Sequence, residues 1–218
     1  MVQANGGGLH GFMNRHNSPL ITDSGGFQVF SLQHGGVTES LAAGEASLKR
    51  AALRTRRKGS APADADPAAP PPPRTSLVLK LSEEGVLFKS YRDGARIFLT
   101  PESSVATQKQ LGADIILPLD ELPQFHISAE ELASSTGRSH RWMARSLAFH
   151  AADPRRQAMY AIVHGGTDTS LRASSADYLS ALPFDGMAIG GALGALRADA
   201  TSVMQPRLRP INCPGHVS

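Results

Sequence analysis

Residues 19–26 read PLITDSGG, and three later stretches repeat the layout: ADIILPLDE at 113–121, AMYAIVHGG at 158–166 and FDGMAIGG at 184–191. In each, a short run rich in Ile, Val, Leu or Met stops on a carboxylate, a hydroxyl, a histidine or paired glycines. None of the runs alternates apolar with polar, which is the pattern of parallel strands buried on both faces. Helix signals lie between them. Thr100-Pro101-Glu102 places a capping residue before a proline at the first helical position, and Gly112 follows the last apolar residue. Ser128 to Glu131 match a capping box, while Leu171, Tyr178, Leu179 and Leu182 mark one face of the segment after Gly166. These are β-α units, and they predict an α/β fold with a parallel sheet.

Two architectures meet that pattern, an open doubly wound sheet and a closed (β/α)8 barrel. In both, ligands meet the carboxyl ends of the strands, so the endings Asp23-Ser24, Asp120-Glu121, His164 and Gly190-Gly191 are expected at one mouth. A dinucleotide-binding loop would need G-x-G-x-x-G after the first strand, and Asp23-Ser24-Gly25-Gly26-Phe27 does not supply it. The preferred reading is a partial TIM-like (β/α)8 barrel carrying a disordered insertion.

The totals suit one domain: 218 residues, of which 41% are hydrophobic. No run of eighteen apolar residues occurs, and MVQANGGGLHGFMNRHN lacks the basic-then-apolar order of a signal peptide, so a soluble cytoplasmic protein without membrane association is expected. The single cysteine, Cys213, has no internal disulfide partner and cannot by itself hold a structural zinc. The charge is unevenly placed. Residues 41–76 hold seven basic residues against three acidic ones, a balance of +4 that exceeds the +3 of the whole chain. The remainder is close to neutral, so no nucleic-acid face on the folded part is inferred from charge.

That basic stretch passes from Ala/Arg/Lys into Ala/Pro and contains six of the fifteen prolines. Low hydrophobicity cannot offset the entropy of ordering it, and the proline run favours extended polyproline II. The organisation expected is an N-terminal part of the barrel at 1–40, a low-complexity basic and Pro-rich insertion at 41–80, central β-α units at 81–196 and a divergent tail at 197–218.

GLHGFM, PLITDSGGFQVFSL, SEEGVLFKSYRDG, FLTPE, LGADIILPLDE and FDGMAIGG follow one another in this chain. In that order they resemble the catalytic region of the tRNA-guanine transglycosylases, which exchange guanine in a tRNA anticodon loop for queuine or a related 7-deazaguanine. The resemblance spans residues 8–40 and 81 to about 194. It implies a (β/α)8 barrel, tRNA and a nucleobase as substrates, and a homo- or heterodimeric transglycosylase partner.

By that resemblance Asp23 and Ser24 line the base pocket, Phe27 stacks on the base and Gln28 lies beside it. Asp120 reads the pyrimidine edge of guanine, and Gly190 and Gly191 offer backbone groups. Each has a plainer alternative: Asp23 as a helix cap, Asp120 in a structural ion pair, Phe27 in the core. His164 stands where many members carry Gln in a Val-Gln-Gly-Gly motif, and remains able to donate to the base. The segment 192–196, ALGAL, replaces one that often carries Glu.

The reaction implied is displacement at the anomeric carbon of a ribose by an ionised carboxylate, followed by the incoming base. Asp23 is the catalytic candidate here. The family's nucleophilic aspartate lies several tens of residues beyond the AIGG strand, before a Cys-x-Cys-x-x-Cys…His zinc site, and neither pattern occurs in these 218 residues. No cofactor and no metal ligand set is therefore expected. Cys213 and His216 have ligand-like spacing but make only two ligands. Negligible base exchange by this chain alone is the expectation, with a non-catalytic accessory subunit or a non-functional fragment as the rival readings.

Overall fold

A computed structural model describes residues 7–29, 77–90, 92–123 and 127–191. Two sheets are present. Strands β1 (Ile21–Thr22), β5 (Ile115–Ile116), β6 (Ala158–Val163) and β7 (Gly186–Ile189) form a four-stranded sheet in that order, every pair parallel. Strands β2 (Val78–Leu81), β3 (Val86–Lys89) and β4 (Arg96–Leu99) form a separate antiparallel sheet.

All four apolar runs of the sequence are parallel strands, and each has its neighbours in chain order. That order has no reversal, so these strands contain no switch point of the doubly wound kind. β1 and β7 end the order, and no closed barrel is formed among the described residues.

Four helices complete the described part: α1 (Gly8–Met13), α2 (Pro101–Leu111), α3 (Ala129–Ala151) and α4 (Thr169–Ser180). A helical turn at 26–29 follows β1. The capping signals act as read. Thr100 accepts from the Ser103 amide while the Ser103 hydroxyl receives the Thr100 N–H, and Pro101 opens the helix. Gly112 closes it in the left-handed conformation. Ser128 and Glu131 make the reciprocal capping box of α3, and Asp168 caps α4 through the Leu171 amide.

The core lies in two parts. Val105 of α2, Met143 and Leu147 of α3, and Leu179 of α4 pack on Ile116, Met159, Ala161 and Ile162 of the parallel strands. Leu179 is therefore on the buried face of α4 as expected, whereas Tyr178 is exposed and stacks on His140 at 4.6 Å between ring centroids. The second part joins the antiparallel sheet to α3 through Trp142, Val86 and Leu119, with Leu81, Phe88 and Leu99 packed against them. The Trp142 indole N–H donates to the Glu83 carbonyl at 2.8 Å, which satisfies the polar end of a buried ring.

The three-stranded sheet was not anticipated from periodicity. Its β3–β4 turn nevertheless carries a standard signal: Asp93-Gly94, with Gly94 at φ +71° and the Asp93 carboxylate accepting from the Ala95 amide. β2 starts at Val78, inside the end assigned to the low-complexity segment. Residues 30–76 and the tail from 192 onward, and with them most of the insertion, ALGAL, Cys213 and His216, lie outside the described residues. No helix among the described residues is long and apolar enough to cross a membrane.

Candidate functional site

Parallel strands carry their carboxyl ends to one side. Asp23 and Ser24 follow β1 directly, Asp120 comes four residues after β5, His164 is the first residue past β6, and Gly190-Gly191 follow β7. The spacing after β5 needs support, because a coil segment buries backbone groups that no ladder satisfies. Gln108 of α2 supplies it. Its side-chain amide donates to the Leu117 carbonyl at 2.7 Å and accepts from the Leu117 N–H at 3.1 Å, acting as an additional strand partner. Its oxygen also accepts from the Thr22 hydroxyl at 2.9 Å, so one buried amide ties the end of β1 to the end of β5.

Ser24 joins the two carboxylates of the mouth. Its amide donates to Asp23 Oδ1 at 2.7 Å and its hydroxyl donates to Asp120 Oδ1 at 3.4 Å. The same hydroxyl accepts from the Gly26 amide at 3.1 Å, and the Ser24 carbonyl accepts from Ser104 at 2.7 Å, so Ser24 is held from both sides. Gly26 approaches so closely that a Cβ there would stand 2.7 Å from the Asp120 carbonyl oxygen and 2.8 Å from Oδ1. The second glycine after the carboxylate-hydroxyl pair thus admits Asp120 to the mouth.

Asp23 is exposed to solvent yet crowded by protein atoms. Partial burial pushes its carboxyl above the ordinary value, and the Asp120 charge adds to the rise. The Ser24 amide and hydroxyl act against both. A carboxyl raised by desolvation and by a like charge at strand ends is characteristic of functional sites.

Asp120 is bound on its other side by His164, whose Nε2 lies 2.9 Å from Oδ2. His164 is 1% exposed and the Asp120 side chain 12%. The His164 amide donates to Ser175 Oγ at 3.0 Å, and that hydroxyl also bonds His140 Nε2 at 2.8 Å. Burial, then the proximity of His164 and Arg141, depresses His140 from 6.5 to about 4.

Gly190 and Gly191 sit beside this group with their carbonyls already engaged. Arg172 Nη1 donates to the Gly190 carbonyl at 2.9 Å and the Gly166 amide donates to that of Gly191 at 3.2 Å. Arg172 is buried, and burial lowers its pKa.

The structure therefore gathers Asp23, Ser24, Asp120 and His164, with Gly191 packed on the His164 ring. It does not bring Gln28 into this network among the described bonds: Gln28 is exposed on the turn at 26–29. Phe27 shares that turn and shows 43% of its surface, so it is not a core residue. Glu121, adjacent to Asp120, turns away to an ion pair with Arg138 at 2.6 Å. Sequence reading missed Gln108, Ser104, Ser175 and Arg172. A buried Gln, Ser or Arg inside a helix carries no local signal, because its partner is a backbone group remote in sequence.

Among the described residues no three His, Cys, Asp or Glu side chains are grouped so as to hold a metal ion. The mouth offers two carboxylates, a hydroxyl and rigid backbone. That set can accept hydrogen bonds from a donor-rich planar ligand and hold a proton at Asp23.

Residues 73–211 match the family model described as queuine tRNA-ribosyltransferase. The curated queuine tRNA-ribosyltransferase of Protochlamydia amoebophila is 46% identical over 213 residues, 97% of this chain and 48% of that protein. Those of Chlamydia caviae and Chlamydia felis are 48% and 46% identical over 188 residues, 86% of this chain and 44% of each relative. The chain spans about half the length of the curated relatives it matches. A match over more than half of the chain, together with this identity, shows that the chain belongs to the queuine tRNA-ribosyltransferase family.

Proposed function

We propose that this chain carries the base-recognition site of a tRNA-guanine transglycosylase, acting on guanine and on queuine or a related 7-deazaguanine in tRNA anticodon loops, within a (β/α)8 barrel. The observation that carries the reading is the Ser24 bridge between Asp23 and Asp120 at adjacent strand ends. Guanine presents N1–H and N2–H₂ along one edge. An ionised carboxylate is acceptor-only, with about four lone-pair positions. Asp120 therefore complements that edge and rejects adenine, whose N1 is an acceptor.

In this reading Phe27, exposed on the turn at 26–29, stacks on the base, and Gln28 on the same turn flanks it. Asp23, its carboxyl raised by burial and by Asp120, is suited to hold or release a proton as a base enters or leaves. Gly190 and Gly191 shape the floor, with their carbonyls fixed by Arg172 and Gly166.

The exchange is a double displacement at the ribose anomeric carbon, so configuration is retained after two inversions. The attacking carboxylate implied by the family lies beyond the matched motifs, and this site accounts for selecting and seating the base. The tRNA base must first leave its stack, which is least costly in a single-stranded loop.

Calorimetric titration of guanine and adenine into the full chain tests the reading. Guanine binding with no adenine binding is the expected result, and equal affinity for the two overturns it. With labelled guanine and tRNA, base binding without incorporation is expected of this chain alone.

A further inference from the structure

We propose that His164 is a positioning residue for Asp120 and does not itself contact the base, an inference that rests on the base-recognition reading above. Three observations fix the ring. At 1% exposure it presents no edge to the mouth. Its Nε2 lies 2.9 Å from Asp120 Oδ2, and since a carboxylate only accepts, Nε2 carries the proton. Gly191, at φ +63°, lies so close that a Cβ there would be 2.6 Å from His164 Nδ1 and 2.8 Å from Cγ. The backbone is pinned as well, since the His164 amide donates to Ser175 Oγ, itself held by His140.

A donor locked in this way sets the plane of the carboxylate. Ser24 Oγ occupies one position on Oδ1 and His164 one on Oδ2, which leaves two of the four lone-pair positions for the two donors of a guanine edge. The 12% of the Asp120 side chain that stays open is the part the ligand can reach. Without His164 the carboxylate keeps the Ser24 hydroxyl on Oδ1 but loses its donor on Oδ2, and ordering it again opposes binding of any ligand that needs both oxygens aligned. A ligand that takes one hydrogen bond loses less.

This separates His164 from a residue that merely supports the fold. Guanine offers N1–H and N2–H₂, whereas hypoxanthine offers N1–H alone. In the full chain, His164→Ala is expected to weaken guanine binding by about tenfold and hypoxanthine binding by less than about threefold, so the ratio of the two affinities collapses. His164→Gln, which keeps a side-chain N–H donor, is expected to restore the ratio to within about 1.5-fold of wild type. An unchanged ratio in His164→Ala, or no rescue by Gln in a folded variant, overturns the proposal.

Should the unaltered chain bind neither base, the recognition reading fails, and the pairing is still decided by ring ¹⁵N resonances of the base-free protein. A proton on His164 Nε2 that loses its protection from solvent exchange in Asp120→Ala supports the pairing. A ring with a proton on Nδ1 and none on Nε2 in the unaltered chain overturns it.

Discussion

Asp23 at the mouth and the carboxylates beside the antiparallel sheet sit in opposite electrostatic settings. Glu83, in the turn between β2 and β3, receives two hydrogen bonds from the Arg141 guanidinium at 2.7 and 2.8 Å, and that contact first, with Arg138 adding to it, draws its pKa below the ordinary range. Glu102 at the start of α2 is gripped by Arg145 in the same bidentate way. Asp23 has burial and a neighbouring carboxylate instead, and its pKa moves up. Around the hairpin the fold stabilises ionised acids; at the strand ends it holds two acids near each other with a serine between them. A chain shaped only for stability would not do the second, which is why the pair reads as function.

The largest effect expected from breaking this contrast is at Asp120. Asp120→Ala removes the acceptor of the guanine edge and strands a buried histidine, so guanine affinity should fall at least about 100-fold by calorimetry. The alanine variant of Arg141 should leave guanine affinity within about twofold, because an exposed ion pair contributes on the order of 0.5 kcal/mol to stability and nothing to the mouth.

Next comes Gln108→Ala, which takes the donor from the Leu117 carbonyl and the acceptor from the Thr22 hydroxyl, while the Leu117 N–H keeps the Thr22 carbonyl. A loss of about 2–3 kcal/mol is expected, read as a fall in Tm of roughly 5–10 °C. A fall no larger than that of Arg141→Ala would show that the β1–β5 tie is not structural.

A smaller effect follows from His140. Its folded value of about 4 lies below the 6.5 of the unfolded chain, so the folded state binds fewer protons between them. Stability is fully present above about pH 6.5 and drains as pH falls toward 4, by about 1–2 kcal/mol once solvent screening of a half-buried ring is allowed for. His140→Gln should flatten that part of the Tm–pH curve.

The smallest effects have opposite signs. At pH 7, Asp23→Asn should raise Tm by about 1 °C, since a carboxylate with a raised pKa loses stability as pH climbs through its titration, whereas Glu83→Gln should lower Tm by a similar amount. Shifts of the same sign would remove the contrast between the two regions.

The parallel sheet was legible because its strands are short apolar runs ending in functional residue types, and because Thr100, Pro101, Gly112, Ser128 and Glu131 are local signals with local partners. Asp23, Ser24 and Asp120 could be placed at one mouth on strand direction alone. His164 could be placed there too, but not its role: from sequence a histidine at a strand end is free to face the ligand, and only the packing of Gly191 and the hydroxyl of Ser175 turn it toward Asp120. The antiparallel sheet is not legible because Arg96–Leu99 leaves Ile97 and Phe98 exposed, and neither it nor Val86–Lys89 follows a clean alternation. Asp93-Gly94 was the one available cue. Gln108 and Arg172 satisfy backbone groups 9 and 18 residues away, a relation fixed by packing and absent from any local pattern.

A crystal structure of the chain soaked with guanine tests the central claim most directly. The base is expected against Phe27 with N1 and N2 each about 3 Å from Asp120 oxygens, while His164 Nε2 keeps its contact to Oδ2. Guanine seated away from the strand ends, or an Asp120 carboxylate that swings off His164 to reach it, would contradict the account.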